Sequence, residues 1–378
     1  MNNNIKLFFA GDFCSKPSTS IIIVSDELRS LIQTCDLKVV NFEVPLKPDI
    51  TLPQQQYERF WQNDDAPSFL QELGFNLFSI ANNHAFDWGE KGFIKTKAAL
   101  GDAAFGAGTY DKAYEVKVVE IKDVKIGFLA LSYAAYTGVF DDVLNHEGLG
   151  CAYINDLRVN HDIVEAKKQV DYLFILPHNG IEYIDVPLPE TIARYRDFID
   201  YGADGVIGSH PHCPQGWEEY KGKPIFYSLG NFFFNSKDTD QFRANKPHWY
   251  EGLCVKMELE TGKINYKVIN TRNLDNIQIV VDNEKIREED NQRLCLYLNN
   301  KEAYVSYLNH QCRRLSENQE MPIIDKTFHG NTLKECTKLI FKNWIKCFKG
   351  KTINDNFSIR TLLRNDNRRN LLLRGIKE

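Results

Sequence analysis

Eight short runs of apolar, β-branched or aromatic residues recur along the 378-residue chain, and they constrain its fold more than any other feature. They are "IKLFFAG" (5–11), "LKVVNF" (37–42), "NLFSIA" (76–81), "VKIGFLALS" (124–132), "YLFILP" (172–177), "DGVIGS" (204–209), "PIFYSLG" (224–230) and "LCVKMELE" (253–260). Each has the length of a strand, and most are apolar without alternation, which marks strands covered on both faces. Helical pattern lies between several of them. "DDAPSFLQEL" (64–73) has Pro near its first turn, while "GEKGFIKTKAAL" (89–100) and "LPETIARYRDFIDYG" (188–202) end near glycines. "GKINYKV" (262–268) is read as the return strand of a final hairpin. Alternating helices and doubly covered strands predict an α/β domain. A content of 43% hydrophobic and 26% charged residues is that of an ordinary globular protein with a sizeable core.

In open α/β sheets, ligands bind outside the carboxyl ends of the strands. Read at those positions, the first run leads to Asp12 and the second to Asn41 and Glu43. The third leads to Asn82, Asn83, His84 and Asp87, and the run at 172–177 to His178, Glu182 and Tyr183. The run at 204–209 reaches His210 and His212, and "YSLGN" delivers Asn231. His210 precedes a proline, which favours extended backbone, so His210 and His212 are expected to project to the same side. Singly, each has an ordinary explanation: Asp and Asn are common in turns and caps, and a lone His is commonly a hydrogen-bonded structural residue. Together they form a carboxylate, amide and imidazole set that suits one or two divalent ions of Zn, Mn, Fe or Ni. His146, His161, His248, His310 and His329 fall outside such positions and are read as ordinary.

The blocks "GD", "NFE", "GFNLFSIANNHAFDWG", "HNGIEY", "GADGVIGSHPH" and "YSLGNF", in this order, resemble the CapA, or poly-gamma-glutamate capsule biosynthesis, family. The resemblance covers residues 5 to about 235. That family is similar to the calcineurin-like metallophosphoesterases. The resemblance therefore implies a four-layer α/β/β/α sandwich and a metal-dependent hydrolase, a phosphoesterase acting on a capsule or cell-envelope polymer or precursor. It implies Asp12 and His212 at a first metal, Asn83, His178 and His210 at a second, Glu43 as a bridging carboxylate, and His84 as general acid. Two such ions would polarise a phosphoryl oxygen and activate water for in-line attack. Cys14, Asn41, Asn82, Asp87, Glu182 and Asn231 would orient ligands or substrate from behind. The chain departs from the phosphoesterase pattern at Cys14, where a histidine is usual, at Glu43, where Asp is usual, and from the CapA pattern at Asn179, where an aromatic is usual. These departures keep two alternatives in view: a non-hydrolytic assembly factor that binds an anionic polymer, and a metal-dependent amide hydrolase.

Charge divides the chain. Residues 1–270 carry 26 Lys+Arg against 37 Asp+Glu, a net −11, whereas residues 271–378 carry 20 against 14, a net +6. This predicts a core domain over 1–270, which the resemblance makes CapA-like and metallophosphoesterase-related, and a basic, mainly helical extension over 271–378. Within the extension, "TLKECTKLIFKNWIKCFKGK" (332–351) spaces Lys334, Lys338, Lys342 and Lys346 along one helical face. A surface helix with solvated lysines is the favoured reading, with docking on an anionic membrane or a capsule-assembly partner as the alternative. Nucleic acid is not an expected partner, since the core is acidic and the tail carries no recognisable motif. Nine cysteines without a C-x-x-C pair, a short N-terminal apolar run and the lack of a membrane-length apolar stretch predict a cytoplasmic protein with reduced thiols, with a peripheral position at the inner membrane face as the variant.

Overall fold

Phe8 and Phe9 are neighbours in the Ile5–Cys14 strand and point to opposite faces, as the two-residue period of a strand requires. Phe9 lies 5.5 Å from the Phe174 ring and 6.4 Å from the Phe128 ring, both on another sheet. Phe8 turns the other way onto Phe75, 6.3 Å distant, which follows the Ala66–Leu73 helix. The same division holds on the Tyr172–His178 strand. Phe174 and Leu176 join the core between the sheets, and Leu173 and Ile175 face a separate core beneath helices Arg158–Lys167 and Pro189–Asp200. The continuous apolar runs thus arise because every central strand is buried on both sides. The layers run helices, sheet, sheet, helices, the four-layer α/β/β/α sandwich expected from the sequence.

This is a computed structural model, and it describes residues 4–16, 21–51, 59–134, 138–142, 146–235, 239–260, 262–282 and 284–317. The first sheet has nine strands. Ile5–Cys14 sits at its centre, parallel to Leu37–Phe42 and Asn231–Phe234 and antiparallel to Glu251–Glu260. Leu77–Ser79 and Ala104–Phe105 extend it on one side, and Lys263–Leu274, Gln278–Val281 and Ile23–Val24 on the other. The second sheet has six strands, with Val124–Ser132, Tyr172–His178 and Gly205–Ile207 running parallel in its middle. The parallel central strands of both sheets place their carboxyl ends at one end of the sandwich.

Three expected strands are shorter than read. The 76–81 run is a strand only over Leu77–Ser79, the 204–209 run only over Gly205–Ile207, and the 224–230 run only over Lys223–Phe226. Asn231 therefore does not follow a strand but opens the next one, Asn231–Phe234, whose aromatic triplet was not assigned to a strand. The compositional change at 271 falls inside the Lys263–Leu274 strand, and Gln278–Val281 adds a further strand to the same sheet. Edge strands with one wet face alternate polar and apolar residues, so the sheet's end carries the composition of an extension. The chain divides instead into one unit over Met1–Asn300 and another over Lys301–Glu378. Beyond the sheet the described residues are helical, over Glu284–Leu294, Leu296–Asn299 and Lys301–Glu317. The basic segment 332–351 lies outside the described residues. The cysteines of the described residues are free thiols, and no helix among those residues is long and apolar enough to cross a membrane.

Candidate metal centre

Asp12 is fully buried and sits between two asparagines across the first sheet, paired in register with Asn41 on one side and Asn231 on the other. The strand pairing is irregular here, and Gly11 is the reason. A Cβ at Gly11 would stand 1.9 Å from the Gly230 carbonyl oxygen, so only glycine lets the two backbones meet. Asp12 N–H then donates to that carbonyl at 2.9 Å. Asn41 Nδ2 donates to Asp12 Oδ1 at 2.7 Å, and the His210 backbone N–H donates to Oδ2 at 3.1 Å.

His178, His210 and His212 reach the same point from the second sheet. His178 Nε2 lies 2.7 Å from Asn83 Oδ1 and 3.1 Å from His210 Nδ1. Its other nitrogen lies 3.1 Å from Ser209 Oγ and 3.2 Å from Asn41 Nδ2. His212 Nδ1 approaches Asn231 Oδ1 at 3.0 Å, and Asn231 Nδ2 donates to the His212 and Trp249 carbonyls. Glu43 closes the group from below, with Oε1 3.7 Å from His178 Nε2 and 3.6 Å from His212 Nε2.

The extended geometry expected for the two histidines does not occur. His210 has φ +102° and His212 φ +55°, and Val44 and Tyr183 beside the site also have positive φ. The proline preference at His210 is overridden by its buried surroundings: the backbone bond to Asp12 and the imidazole contact with His178 hold the turn. Both rings still face the same centre, their centroids 5.8 Å apart. Backbone held in sparse regions by its surroundings is a recurrent property of functional sites, at about 1–3 kcal/mol each.

Two residue groups can hold an ion: Asp12, Glu43 and His212, and Glu43, His178 and His210. In each, the candidate ligand atoms lie within 4.8 Å of one another, and Glu43 is common to both. Among the described residues, both Glu43 carboxylate oxygens are buried without a hydrogen-bond partner, as are Asn41 Oδ1 and Asn83 Nδ2. Such atoms normally have partners in a folded protein. His178 Nε2, His210 Nδ1 and Asn83 Oδ1 also crowd lone pairs together, which a cation resolves more fully than a single shared proton. The donor set therefore fits divalent metal.

Burial pushes Asp12 up to about 7 against its hydrogen bonds, and pushes Glu43 well above the usual carboxylate range, with the Asp12 charge adding to it. Burial holds His178 well below an ordinary imidazole and His212 down at about 4. Neutral imidazoles are the form that binds metal, and a cation would restore charge to the acids. His84 differs. Burial pulls it down, but Asp87, bonded to Nδ1 at 2.9 Å, outweighs this and leaves it raised. Asn82 Oδ1 accepts the His84 backbone N–H, and its Nδ2 donates to the Phe42 carbonyl, fixing the "NNH" turn to the neighbouring strand.

Glu182 is half-buried and acts electrostatically on Glu43, His84 and His212. Cys14 stands apart. Its side chain packs in an apolar cluster with Val44, Phe234 and Trp249, burial pushes its thiol far up, and it belongs to neither of the two groups whose ligand atoms converge. Several residues at the site were not anticipated. Gln62 Nε2 donates to the Glu43 and Val44 carbonyls and holds the backbone there. Phe60 and Trp249 stand 5.1 Å from His84 and 5.0 Å from His212, and Lys16 and Lys246 lie over their rings. The lysines have no motif around them, and the aromatics look like core.

Residues 6–236 match the family model for the bacterial capsule synthesis protein PGA_cap. The chain is 30% identical over 215 residues to the PGA biosynthesis protein CapA of Bacillus subtilis, covering 55% of this chain and 56% of that protein. It is 29% identical over 209 residues to the capsule biosynthesis protein CapA of Bacillus anthracis, covering 52% of this chain and 49% of that one. The chain thus spans about half the length of the curated relatives it matches. Among solved structures, a novel phosphatase from Mycoplasma pneumoniae aligns with a TM-score of 0.44 at 16% identity, covering 79% of this chain and 99% of that chain.

Proposed function

The chain belongs to the bacterial capsule synthesis protein family, and from that premise we propose that it is a metal-dependent phosphoesterase acting on an anionic capsule or cell-envelope polymer or its phosphorylated precursor. The observation that carries the reading is the pair of triads sharing Glu43, whose two oxygens are otherwise without partners. Asp12, Glu43 and His212 would hold one ion, and Glu43, His178, His210 and Asn83 the other. Bound there, divalent metal supplies Lewis-acid polarisation of the phosphoryl group and activation of water.

The chain's own residues do the rest. Asn41 holds Asp12 and His178 in fixed orientation, and Asn231 does the same for His212. His84, whose hold on a proton Asp87 strengthens, is the general acid: with Nδ1 committed to Asp87, the proton for the leaving oxygen comes from Nε2. Cys14 favours a second reading, a non-hydrolytic assembly factor that uses the same pocket to bind polymer, because it gives the first ion no extra ligand. The names of the relatives, which speak of biosynthesis, are compatible with either.

The test is elemental analysis of the purified protein beside a His210→Ala, His212→Ala double variant. Stoichiometric Mn, Fe, Ni or Zn that disappears in the variant is the expected result. No metal in either protein after reconstitution would overturn the hydrolase in favour of the binding protein.

A further inference from the structure

Lys16 and Lys246 come from chain segments far apart in sequence, yet each is one aromatic ring away from a histidine of the centre. Lys16 Nζ lies 4.7 Å from the Phe60 ring and 5.5 Å from the Phe234 ring. Phe60 stands 5.1 Å from His84, and Phe234 5.0 Å from His212. Lys16 therefore spans the side of the centre between the two imidazoles. Lys246 Nζ lies 4.1 Å from the Tyr183 ring and 5.4 Å from the Trp249 ring, and both rings stack towards His212, at 6.3 and 5.0 Å. Both lysines are half-buried. The backbone of Lys16 is pinned by the Asn235 side chain, which accepts its N–H at 2.6 Å.

A lysine stem laid on apolar surface with its head in water is the commonplace alternative. It explains one such lysine on any aromatic patch. It does not explain why the rings beneath both lysines are the ones that touch His84 and His212. Nor does it explain a Lys16 ammonium with no carboxylate in ion-pair range among the described residues, flanking a centre of buried carboxylates. The Lys16 ammonium, held on the Phe60 and Phe234 ring faces, keeps N–H donors for an incoming anion. A phosphoryl group seated among the metal ligands has its charge met there, which leaves both lysines to a different part of the substrate.

We propose that Lys16 and Lys246 are specificity-determining residues that bind a second anionic group of the substrate, a carboxylate or a phosphate, beyond the phosphoryl group at the centre. The inference rests on the phosphoesterase reading for what occupies the centre. It predicts a substrate with repeated or paired negative charge rather than a phosphoester of a neutral alcohol.

The test uses the metal-loaded, full-length protein and three non-hydrolysable probes, titrated calorimetrically: phenylphosphonate, 4-carboxyphenylphosphonate and 1,4-phenylenebisphosphonate. At least one doubly anionic probe is expected to bind about tenfold or more tighter than phenylphosphonate, as charge-assisted hydrogen bonds of this kind allow. Which of the two is preferred identifies carboxylate or phosphate as the second group. Lys16→Met and Lys246→Met, which keep the apolar stem, should each erode that preference several-fold, and Lys16→Arg should retain it. Equal affinity for all three probes, binding of none of them, or a preference unchanged in both Met variants would overturn the inference. Turnover of the corresponding phosphate esters is measured separately. A lysine-dependent preference without turnover leaves the anion site standing and removes the hydrolase, whereas turnover without preference does the reverse.

Discussion

Leu173–Leu176 and His178 belong to one strand, yet its two ends are built on opposite terms. In the middle, side chains alternate between two apolar cores, and Phe174 meets Phe9 and Phe128 at ring distances of 5.5 and 6.0 Å. At the carboxyl end, buried imidazoles, carboxylates and amides crowd together, several without hydrogen-bond partners and several on backbone with positive φ. The middle gains stability from apolar burial. The end gives some of it up, through desolvated acids and strained turns, to hold donors ready for an ion. Stability and function are thus separated along single strands by only a few residues.

The largest expected effect would sharpen this separation. His84→Ala should lower turnover by about 10²–10⁴-fold, the range for loss of a general acid, while bound metal stays at the wild-type level. Undiminished turnover would take the acid role from His84. Phe174→Ala is the counterpart in the core. It should cost about 3–5 kcal/mol in urea unfolding, with metal content per folded molecule preserved. Loss of metal in that variant while it remains folded would show that the two ends are coupled rather than separate.

A third expectation concerns pH. Asp12 must be ionised to ligate, and burial has pushed it up to about 7. Below that value a proton on Asp12 competes with the metal, and Glu43, pushed well above the usual carboxylate range, holds a second, so affinity should fall by about tenfold or more per pH unit as the pH drops below it. His212 and His178 add little to the fall in this window, since His212 sits at about 4 and His178 is held well below its usual value. Mn²⁺ titrations between about pH 5.5 and 8 read this directly, and a flat profile would remove Asp12 from the ligand set. In the metal-free protein the two kinds of group act in opposite directions. Raising pH from 3.8 towards 7 costs stability through Asp12, whose folded value is raised, and lowering pH from 6.5 towards 4 costs it through His212, whose folded value is depressed.

The smallest effect tests the strain itself. His210 has φ +102°, where a side chain is unfavourable, so metal-free His210→Gly should be more stable than metal-free His210→Ala by about 1 kcal/mol, although both lose the imidazole. Equal melting temperatures for the two metal-free variants would mean that the backbone here carries no strain.

The sequence by itself determined where the central strands lie and which residues leave them. Runs 37–42 and 124–132 match the observed strands Leu37–Phe42 and Val124–Ser132 end to end, because a strand buried on both faces must be apolar throughout. Asp12, Glu43, Asn83, His178, His210 and His212 stood out for the complementary reason, polar groups placed where a buried run ends. Tertiary structure alone decided the rest. It put Asn231 at the start of a strand opposite Asp12, turned His210 and His212 through left-handed backbone and carried the sheet past residue 271. It also assigned Cys14 to an apolar cluster and brought Lys16 and Lys246 over the rings that flank the centre. Periodicity reports which face of a local segment is buried. It carries no record of which distant segment lies against that face, and the choice between a ligand, a core thiol and a rim lysine is made there.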